Sequence, residues 1–215
     1  MGFDPLFAKS RSIIYQRHEV ILRPEDIPGG VYYLKKGFIE LYALSEAGEK
    51  LTLIIFKPGD VFPLAWAVGD IPNRYYLSAM TGIELKRCSK NDFLAFIKNE
   101  PAVLYELLNH VSVRLHGLLE RTEYLVFGSS YDKVASILLI CAMRFGKKEN
   151  GNIIIQVPLT HKDVAELVGL TRETTSLKIK KLEKEGLIAR RGKFIIVKNM
   201  KKLKKATSLE DVNIF

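Results

Sequence analysis

Apolar and polar positions alternate in short stretches over residues 12–88, and turn-forming residues separate the stretches. A period of two is the pattern of β-strands, because successive side chains of a strand point to opposite faces. The turns recur at roughly the 8–12-residue spacing that is typical of an antiparallel sandwich or barrel. We therefore predict strands at Glu19–Leu22, Val31–Lys35, Phe38–Leu44, Leu51–Phe56, Tyr75–Met80 and Ile83–Cys88.

The pattern becomes helical after Cys88 and stays so over residues 89–127. Ser89 and Asp92 form a helix-start signal, and Pro101 suits a first helical position. Seven positions then recur in alternating steps of four and three: Leu104, Leu108, Val111, Leu115, Leu118, Thr122 and Leu125. Such a regular seam is typical of helix–helix pairing, so we predict a homodimer interface; a helix that packs only on its own domain is the alternative.

The residues after this helix predict a second, mostly helical region. Gly128 to Ser130 form a break and a cap, and an apolar helix is predicted at Tyr131–Phe145. A polar loop at Lys147–Asn152 leads to a strand at Ile153–Val157.

Two short helices joined by a glycine are predicted between Leu159 and Gly186. Thr160 caps the first helix with Asp163 completing a capping box, Gly169 ends it, and Thr171 caps the second helix. Val164, Leu167 and Val168 form the inner face of the first helix, and Ala165 is small enough for close helix crossing. This is the helix-turn-helix arrangement.

The second of these helices has two unlike faces on a helical wheel. Thr175, Ile179 and Leu182 share one arc, whereas Glu173, Ser176, Leu177, Lys180 and Lys184 share the opposite arc, with Arg172 at its edge. A hairpin follows with its tip at Arg190 to Lys193. Lysine runs are usually solvated helix faces, but donors near a helix start and cations at a hairpin are what a major groove and its phosphates require. We predict DNA binding through Thr160, His161, Lys162, Thr171, Arg172, Glu173, Ser176, Leu177, Lys180, Arg190, Arg191 and Lys193.

Net charge agrees with this division of the chain. Residues 1–128 hold 15 basic and 15 acidic residues, whereas residues 129–215 hold 18 and 9, so the net charge of +9 lies in the second part. A neutral first part and a basic second part indicate two modules, with a polyanion as partner of the second.

Several classes of protein are disfavoured by the rest of the sequence. The longest apolar runs, Val61–Val68 and Ile137–Met143, are far too short to span a bilayer, and the start MGFDPLFAKS resembles no signal peptide, so we expect a cytoplasmic protein without a membrane partner. We interpret Cys88 and Cys141, which are far apart in the sequence and form no CxxC motif, as two buried, reduced thiols. No histidine pair has zinc-site spacing and no catalytic motif is present. We therefore expect that the protein binds no metal or cofactor and is not an enzyme.

The motifs together resemble the Crp–Fnr family of bacterial transcription regulators. The helix-turn-helix carries Thr171-Arg172-Glu173-Thr174 and Gly186-Leu187-Ile188, while Gly30 to Leu34, Gly37 and Lys57 to Phe62 are similar to the family's cyclic-nucleotide-binding-type β-roll. The resemblance implies an α+β chain of four parts: a jelly-roll-like antiparallel β-roll (1–100), a dimerisation helix and hinge (101–128), a winged helix-turn-helix domain (129–206) and a polar tail (207–215). It also implies a DNA operator and RNA polymerase as partners.

Two departures from the family pattern matter. Leu177 stands where members usually carry an arginine, so the operator should differ from the best-known ones. Cyclic-nucleotide binders follow the phenylalanine with Gly-Glu and place an arginine before a small residue, but here Pro63 and Leu64 follow Phe62, and Tyr75 follows Arg74. We expect that cyclic AMP is not the effector. The corresponding positions, Phe62, Leu64, Trp66, Arg74, Tyr75 and Tyr76, form either a filled pocket or a pocket for an unknown effector.

The leading hypothesis is therefore a homodimeric, sequence-specific transcription regulator. An architectural DNA-binding protein whose β-roll serves only dimerisation is the alternative. The ratio of specific to non-specific DNA affinity separates the two.

Overall fold

The computed structural model describes residues 2–207. The chain divides into two compact units, Met1–Val111 and Ser112–Phe215, and the boundary falls within a long helix. Of the predicted polar tail, Thr207 is buried, and residues 208–215 lie outside the described residues.

The first unit consists of an antiparallel β-roll with helices at both ends of its sequence. In chain order its elements are α1 (Asp4–Phe7), β1 (Ile13–Tyr15), β2 (Val20–Leu22), β3 (Val31–Lys36), β4 (Ile39–Leu44), β5 (Lys50–Phe56), β6 (Val61–Phe62), α2 (Leu64–Gly69), β7 (Tyr76–Ala79), β8 (Ile83–Cys88), α3 (Lys90–Asn99) and the first part of α4 (Pro101–Phe127). Two antiparallel sheets have the strand orders β1-β8-β3-β6 and β2-β7-β4-β5. Every strand that the alternation predicts is present, and the predicted β-roll is confirmed.

Strand β3 is buried on both faces and separates two apolar cores. Tyr32 and Leu34 face the other sheet, whereas Val31 and Tyr33 point the opposite way, as strand alternation requires. The inner core, between the two sheets, consists of Leu22, Tyr32, Leu34, Ile39, Phe56, Phe62, Leu77, Ala79, Ile83 and Leu85. The helical core consists of Phe3, Phe7, Val31, Tyr33, Val61, Ala67, Phe93, Ile97, Val103 and Leu107.

Strand β4 places a carboxylate on the outer face of the second sheet. Ile39 belongs to the inner core, so the neighbouring Glu40 points away from it, and Glu40 is only 6% exposed. Lys50 Nζ lies 2.6 Å from Glu40 Oε1, and the Ser78 hydroxyl donates to the same oxygen at 3.0 Å. A buried carboxylate needs such partners, and they hold strands β4, β5 and β7 in register.

The second unit contains the remainder of α4 and a small helical domain with one sheet. Its further elements are α5 (Ser130–Phe145), β9 (Gly146–Glu149), β10 (Asn152–Ile155), α6 (His161–Val168), α7 (Arg172–Lys184), β11 (Ile188–Arg191), β12 (Phe194–Val197) and α8 (Met200–Lys205). The sheet order is β11-β12-β10-β9. Helix α5 is buried continuously from Val134 to Ala142, so it is the central helix of this unit.

The prediction of a loop at Lys147–Asn152 is wrong. Residues 146–149 form strand β9, which pairs with β10 across a tight turn at Asn150 and Gly151. Both turn residues have positive φ angles, 49° and 78°, which is the conformation that an Asn-Gly pair favours in a two-residue hairpin. Strand β9 has the sequence Gly-Lys-Lys-Glu, which lacks the alternating apolar residues that would predict a strand.

The two parts of helix α4 belong to different units, and each part has buried residues in its own unit. Val103 and Leu107 are buried in the helical core of the first unit, and Arg121 and Tyr124 are buried in the second unit. No helix within residues 2–207 combines the length and apolar character that crossing a membrane requires.

Candidate nucleic-acid interface

Helices α6 and α7 form the predicted helix-turn-helix. Thr160 caps α6: its hydroxyl oxygen accepts from the backbone N–H of Asp163 at 3.1 Å, and the Asp163 carboxylate accepts from the Thr160 N–H at 2.7 Å. Gly169 ends α6 with a φ of 62°, a left-handed conformation that glycine adopts without steric cost. Thr171 then caps α7 by accepting from the N–H of Thr174 at 3.2 Å. The turn is therefore fixed by local signals at both helix ends.

Helix α7 buries one face and exposes the other, as the wheel predicts. Thr175, Ile179 and Leu182 are all 0% exposed and pack inside the unit. The exposed positions of the predicted arc are Arg172, Glu173, Leu177, Lys180 and Lys184, and Ser176 is half-buried. The outward face thus presents three cations, a carboxylate, a hydroxyl and an isobutyl group.

His161 lies beside this face because it is the first residue of α6. Its Nδ1 atom is 3.0 Å from the Ser176 hydroxyl oxygen, so a hydrogen bond connects the two helices of the motif. Burial lowers the pKa of His161, Arg190, Arg172 and Lys180 lower it further, and Glu183 partly opposes them. The ring is therefore held in its neutral form at neutral pH.

Acidification should destabilise the chain through His161. Because its pKa lies below the ordinary value of 6.5, the unfolded chain binds the proton more readily, and the free energy of unfolding falls as the pH falls below about 6.5. We expect His161→Phe to lose less stability than the wild type between pH 7.5 and 5.5 in urea unfolding. Lys162→Ala should keep the wild-type dependence, and equal slopes for the wild type and His161→Phe would contradict the prediction.

The wing is the hairpin of β11 and β12. Arg190, Arg191 and Lys193 are all exposed, and Gly192 makes the turn with a φ of 60°. Arg191 forms an ion pair with Glu149 at 3.0 Å. Successive strand residues point to opposite faces, and the effect of Arg190 on His161 places Arg190 near the helix-turn-helix. Arg190 is therefore better placed than Arg191 to reach a phosphate. Lys193 is exposed in the turn itself, beside Gly192.

Two contacts that hold the motif in place were not predicted. The guanidinium of Arg121, which is 8% exposed, donates to the backbone carbonyl of Leu167 near the end of α6. The Tyr131 hydroxyl donates to Glu185 just after α7, and Lys181 lies over the Tyr131 ring at 4.6 Å from its centroid. Partners 46 and 54 residues apart leave no periodic signal in the sequence.

The predicted seam of α4 is largely solvent-exposed in the single chain. Leu104, Leu108, Val111, Leu115 and Leu118 are 43–60% exposed, and Leu119 beside them is 62% exposed. The Thr122 hydroxyl donates to the carbonyl of Leu118 at 2.9 Å, so the polar atom in the seam has a partner on its own helix. Leu125 differs from the others because it is half-buried against Tyr124 and Ile140.

The structure does not bring the six predicted effector-pocket residues together. Phe62 lies in the inner core, with its ring centroid 5.5 Å from that of Tyr32 and 5.2 Å from that of Phe56. Leu64 and Trp66 follow Pro63 on helix α2, which carries them to the helical core.

The other three candidates lie on or near strand β7. Tyr76 stacks on Tyr42 with centroids 5.1 Å apart, and it points away from the inner core because Leu77 points into it. Arg74 and Tyr75 are exposed. Short elements and strand alternation therefore separate residues that are near one another in sequence.

Both units match known protein families. Residues 132–206 match the Crp-like helix-turn-helix domain, and residues 13–100 match the cyclic nucleotide-binding domain. The transcriptional activatory protein AadR of Rhodopseudomonas palustris is 30% identical over 183 residues, which cover 83% of this chain and 74% of AadR. The chain belongs to the Crp–Fnr family. The resemblance stated from the sequence is thereby confirmed.

Other Crp–Fnr relatives match over similar lengths. The global nitrogen regulator of Nostoc sp. is 29% identical over 185 residues, 85% of this chain and 83% of the regulator. A CRP/FNR-family transcriptional regulator from Thermus thermophilus has a TM-score of 0.71 at 28% identity, covering 91% of this chain and 97% of its own. FixK2 from Bradyrhizobium japonicum has a TM-score of 0.78 at 22% identity. The match covers 93% of this chain and 98% of FixK2, so the two share the fold.

Proposed function

We propose that this Crp–Fnr protein is a homodimeric transcription regulator that binds a specific DNA operator and acts without cyclic AMP. The observation that carries the proposal is the exposed arc of α7, which combines base-reading groups with cations on a capped and well-packed helix. Arg172 and Glu173 lie in its first turn, where a recognition helix meets base edges, and Lys180 lies two turns further along.

The charges of the interface separate into two roles. Arg172, Glu173 and Ser176 can hydrogen-bond to bases in the major groove, and Leu177, 64% exposed, can contact a thymine methyl group. Lys180, Arg190 and Lys193 are exposed cations suited to phosphates. A helix with only the second set would bind DNA without preference, so the first set supports sequence recognition.

The exposed seam of α4 supports a dimer of two parallel copies of this helix. Five consecutive seam side chains, spread over two heptads, are apolar and exposed in one chain, and a second copy of the same seam is complementary to them. A dimer also explains how a short recognition helix obtains sufficient specificity, because two half-sites are read at once.

Selection of bound duplexes from a random double-stranded library tests this proposal. We expect the full-length protein to select a two-fold-symmetric sequence whose half-sites lie about one helical turn apart, roughly 10 base pairs centre to centre. Selection of no common sequence, or of an asymmetric single half-site, would contradict it. RNA polymerase is the proposed partner at such an operator.

The surroundings of Phe62 support control without cyclic AMP. A cyclic nucleotide brings a phosphate charge and a ribose hydroxyl, and each needs a hydrogen-bonding partner when buried. Pro63 offers no backbone N–H and Leu64 no polar side chain, and the rings of Tyr32 and Phe56 pack against Phe62. These features support either constitutive DNA binding or an effector that is not a nucleotide.

Calorimetric titration measures directly whether the protein binds cyclic nucleotides. We expect neither cyclic AMP nor cyclic GMP to bind the purified dimer at micromolar concentrations, and we expect operator affinity to be the same with and without them. Micromolar binding that also raises operator affinity would overturn the proposal.

A further inference from the structure

The contact between His161 and Ser176 joins a half-buried imidazole to a hydroxyl at the DNA-facing surface. His161 begins α6, Ser176 lies in the second turn of α7, and the Nδ1–Oγ distance is 3.0 Å. Ser176 follows Arg172 by one helical turn, on the arc that faces the groove. His161 is therefore the neighbour that controls the orientation of a base-reading hydroxyl.

The other ring nitrogen determines which way this hydrogen bond runs. Nε2 of His161 is buried and has no hydrogen-bond partner within residues 2–207. A neutral imidazole carries one proton, on either Nδ1 or Nε2. A proton on Nε2 would leave a buried N–H without an acceptor. The charges around the ring also disfavour it, because the cations Arg190, Arg172 and Lys180 outweigh the one carboxylate, Glu183. The proton therefore belongs on Nδ1, which donates to the Ser176 oxygen.

We propose that His161 sets Ser176 as a hydrogen-bond donor to the DNA and thereby fixes the choice of base at one operator position. A free serine hydroxyl rotates and can donate or accept, so it discriminates poorly between bases. With its oxygen engaged by Nδ1–H, the Ser176 hydroxyl directs its proton outward. The inference rests on the proposed function, since it assumes that α7 enters the major groove.

The base chemistry follows from this assignment. In the major groove guanine presents O6 and N7 as acceptors, thymine presents O4 and adenine presents N7, whereas cytosine presents only the N4 donor. Ser176 should accordingly favour guanine, thymine or adenine at its position and disfavour cytosine.

The test begins with the selected operator and the full-length dimer. Ser176→Ala identifies the base that Ser176 contacts, as the position where discrimination is lost. Affinity is then measured with each of the four bases at that position for the wild type, His161→Phe and His161→Asn. Phenylalanine keeps the ring without nitrogen atoms, and the asparagine amide N–H replaces Nδ1–H. Lys162→Ala, on the same helix turn, is the matched control.

We expect the wild type to disfavour cytosine about fivefold, which is the worth of one hydrogen bond. His161→Phe should abolish this preference, His161→Asn should retain it, and Lys162→Ala should weaken all four operators equally. The Ser176→Ala/His161→Phe double variant should behave like Ser176→Ala alone. If the preferred base is adenine, 7-deazaadenine should cause the same loss as Ser176→Ala.

Three results would overturn the inference: cytosine as the preferred base, an unchanged preference in His161→Phe, or an operator bound specifically with no position that responds to Ser176→Ala. A 7-deazaadenine substitution without effect would also overturn it. Failure to select any operator is a different result, because it removes the proposed function itself.

Discussion

Replacing Leu108 and Leu115 together by lysine should convert the dimer into a monomer and lower operator affinity about 100-fold or more. Both leucines lie in the middle of the α4 seam and are 60% and 57% exposed in the single chain, so neither is needed to fill a core. In a dimer their lysine replacements would bring four like charges into a seam that excludes water, and none would have a partner. Sedimentation velocity measures the change.

The matched control adds the same charge one position along the helix. Asn109 and His116 are exposed outside the seam, and lysine at 116 can pair with Glu120, whose Oε1 lies 3.0 Å from His116 Nε2. Asn109→Lys with His116→Lys should therefore sediment as a dimer. If Leu108→Lys/Leu115→Lys also remains a dimer, the seam is not the interface.

Arg172→Ala should reduce operator affinity by about 1–3 kcal/mol and remove the preference at one base pair of each half-site. Arg172 is the first residue of α7 and is exposed, while the hydroxyl of Thr171 caps the helix independently of it. The loss should therefore reflect DNA contacts and leave the fold intact. Affinities for the operator and for its single-base variants give both quantities.

Lys193→Ala is the comparison for Arg172→Ala. Lys193 lies on the wing beside Gly192 and reaches a phosphate in the proposed complex, so its loss should weaken all sequences alike and lower the slope of log affinity against log salt by about 1. Equal losses on every sequence for both variants would contradict the assignment of Arg172 to base reading.

The sequence predicts those features of the fold that have a local period or a local signal. Strand β3 follows from alternation, with Tyr32 and Leu34 on one face and Val31 and Tyr33 on the other. The start of α6 follows from the spacing of Thr160 and Asp163, and the buried face of α7 follows from the 3.6-residue period. In each case neighbouring residues determine the conformation, so no tertiary contact is needed to see it.

Features that depend on short elements or distant partners could not be predicted. Strand β6 has two residues and helix α2 has six, which are too few to show a period. The sequence therefore could not predict that Phe62 and Trp66 pack in different cores. The bonds of Arg121 to Leu167 and of Tyr131 to Glu185 join residues whose proximity exists only in the fold. The same holds for His161 and Ser176.

The central claim is that this chain recognises a sequence, and competition binding tests it most directly. Labelled selected operator is bound to the full-length dimer at about 0.15 M salt and displaced either by unlabelled operator or by random duplex of equal length. Specific recognition predicts that random DNA competes at least about 10³-fold more weakly. If random DNA competes within a few-fold of the operator, the protein is an architectural DNA binder and the claim is contradicted.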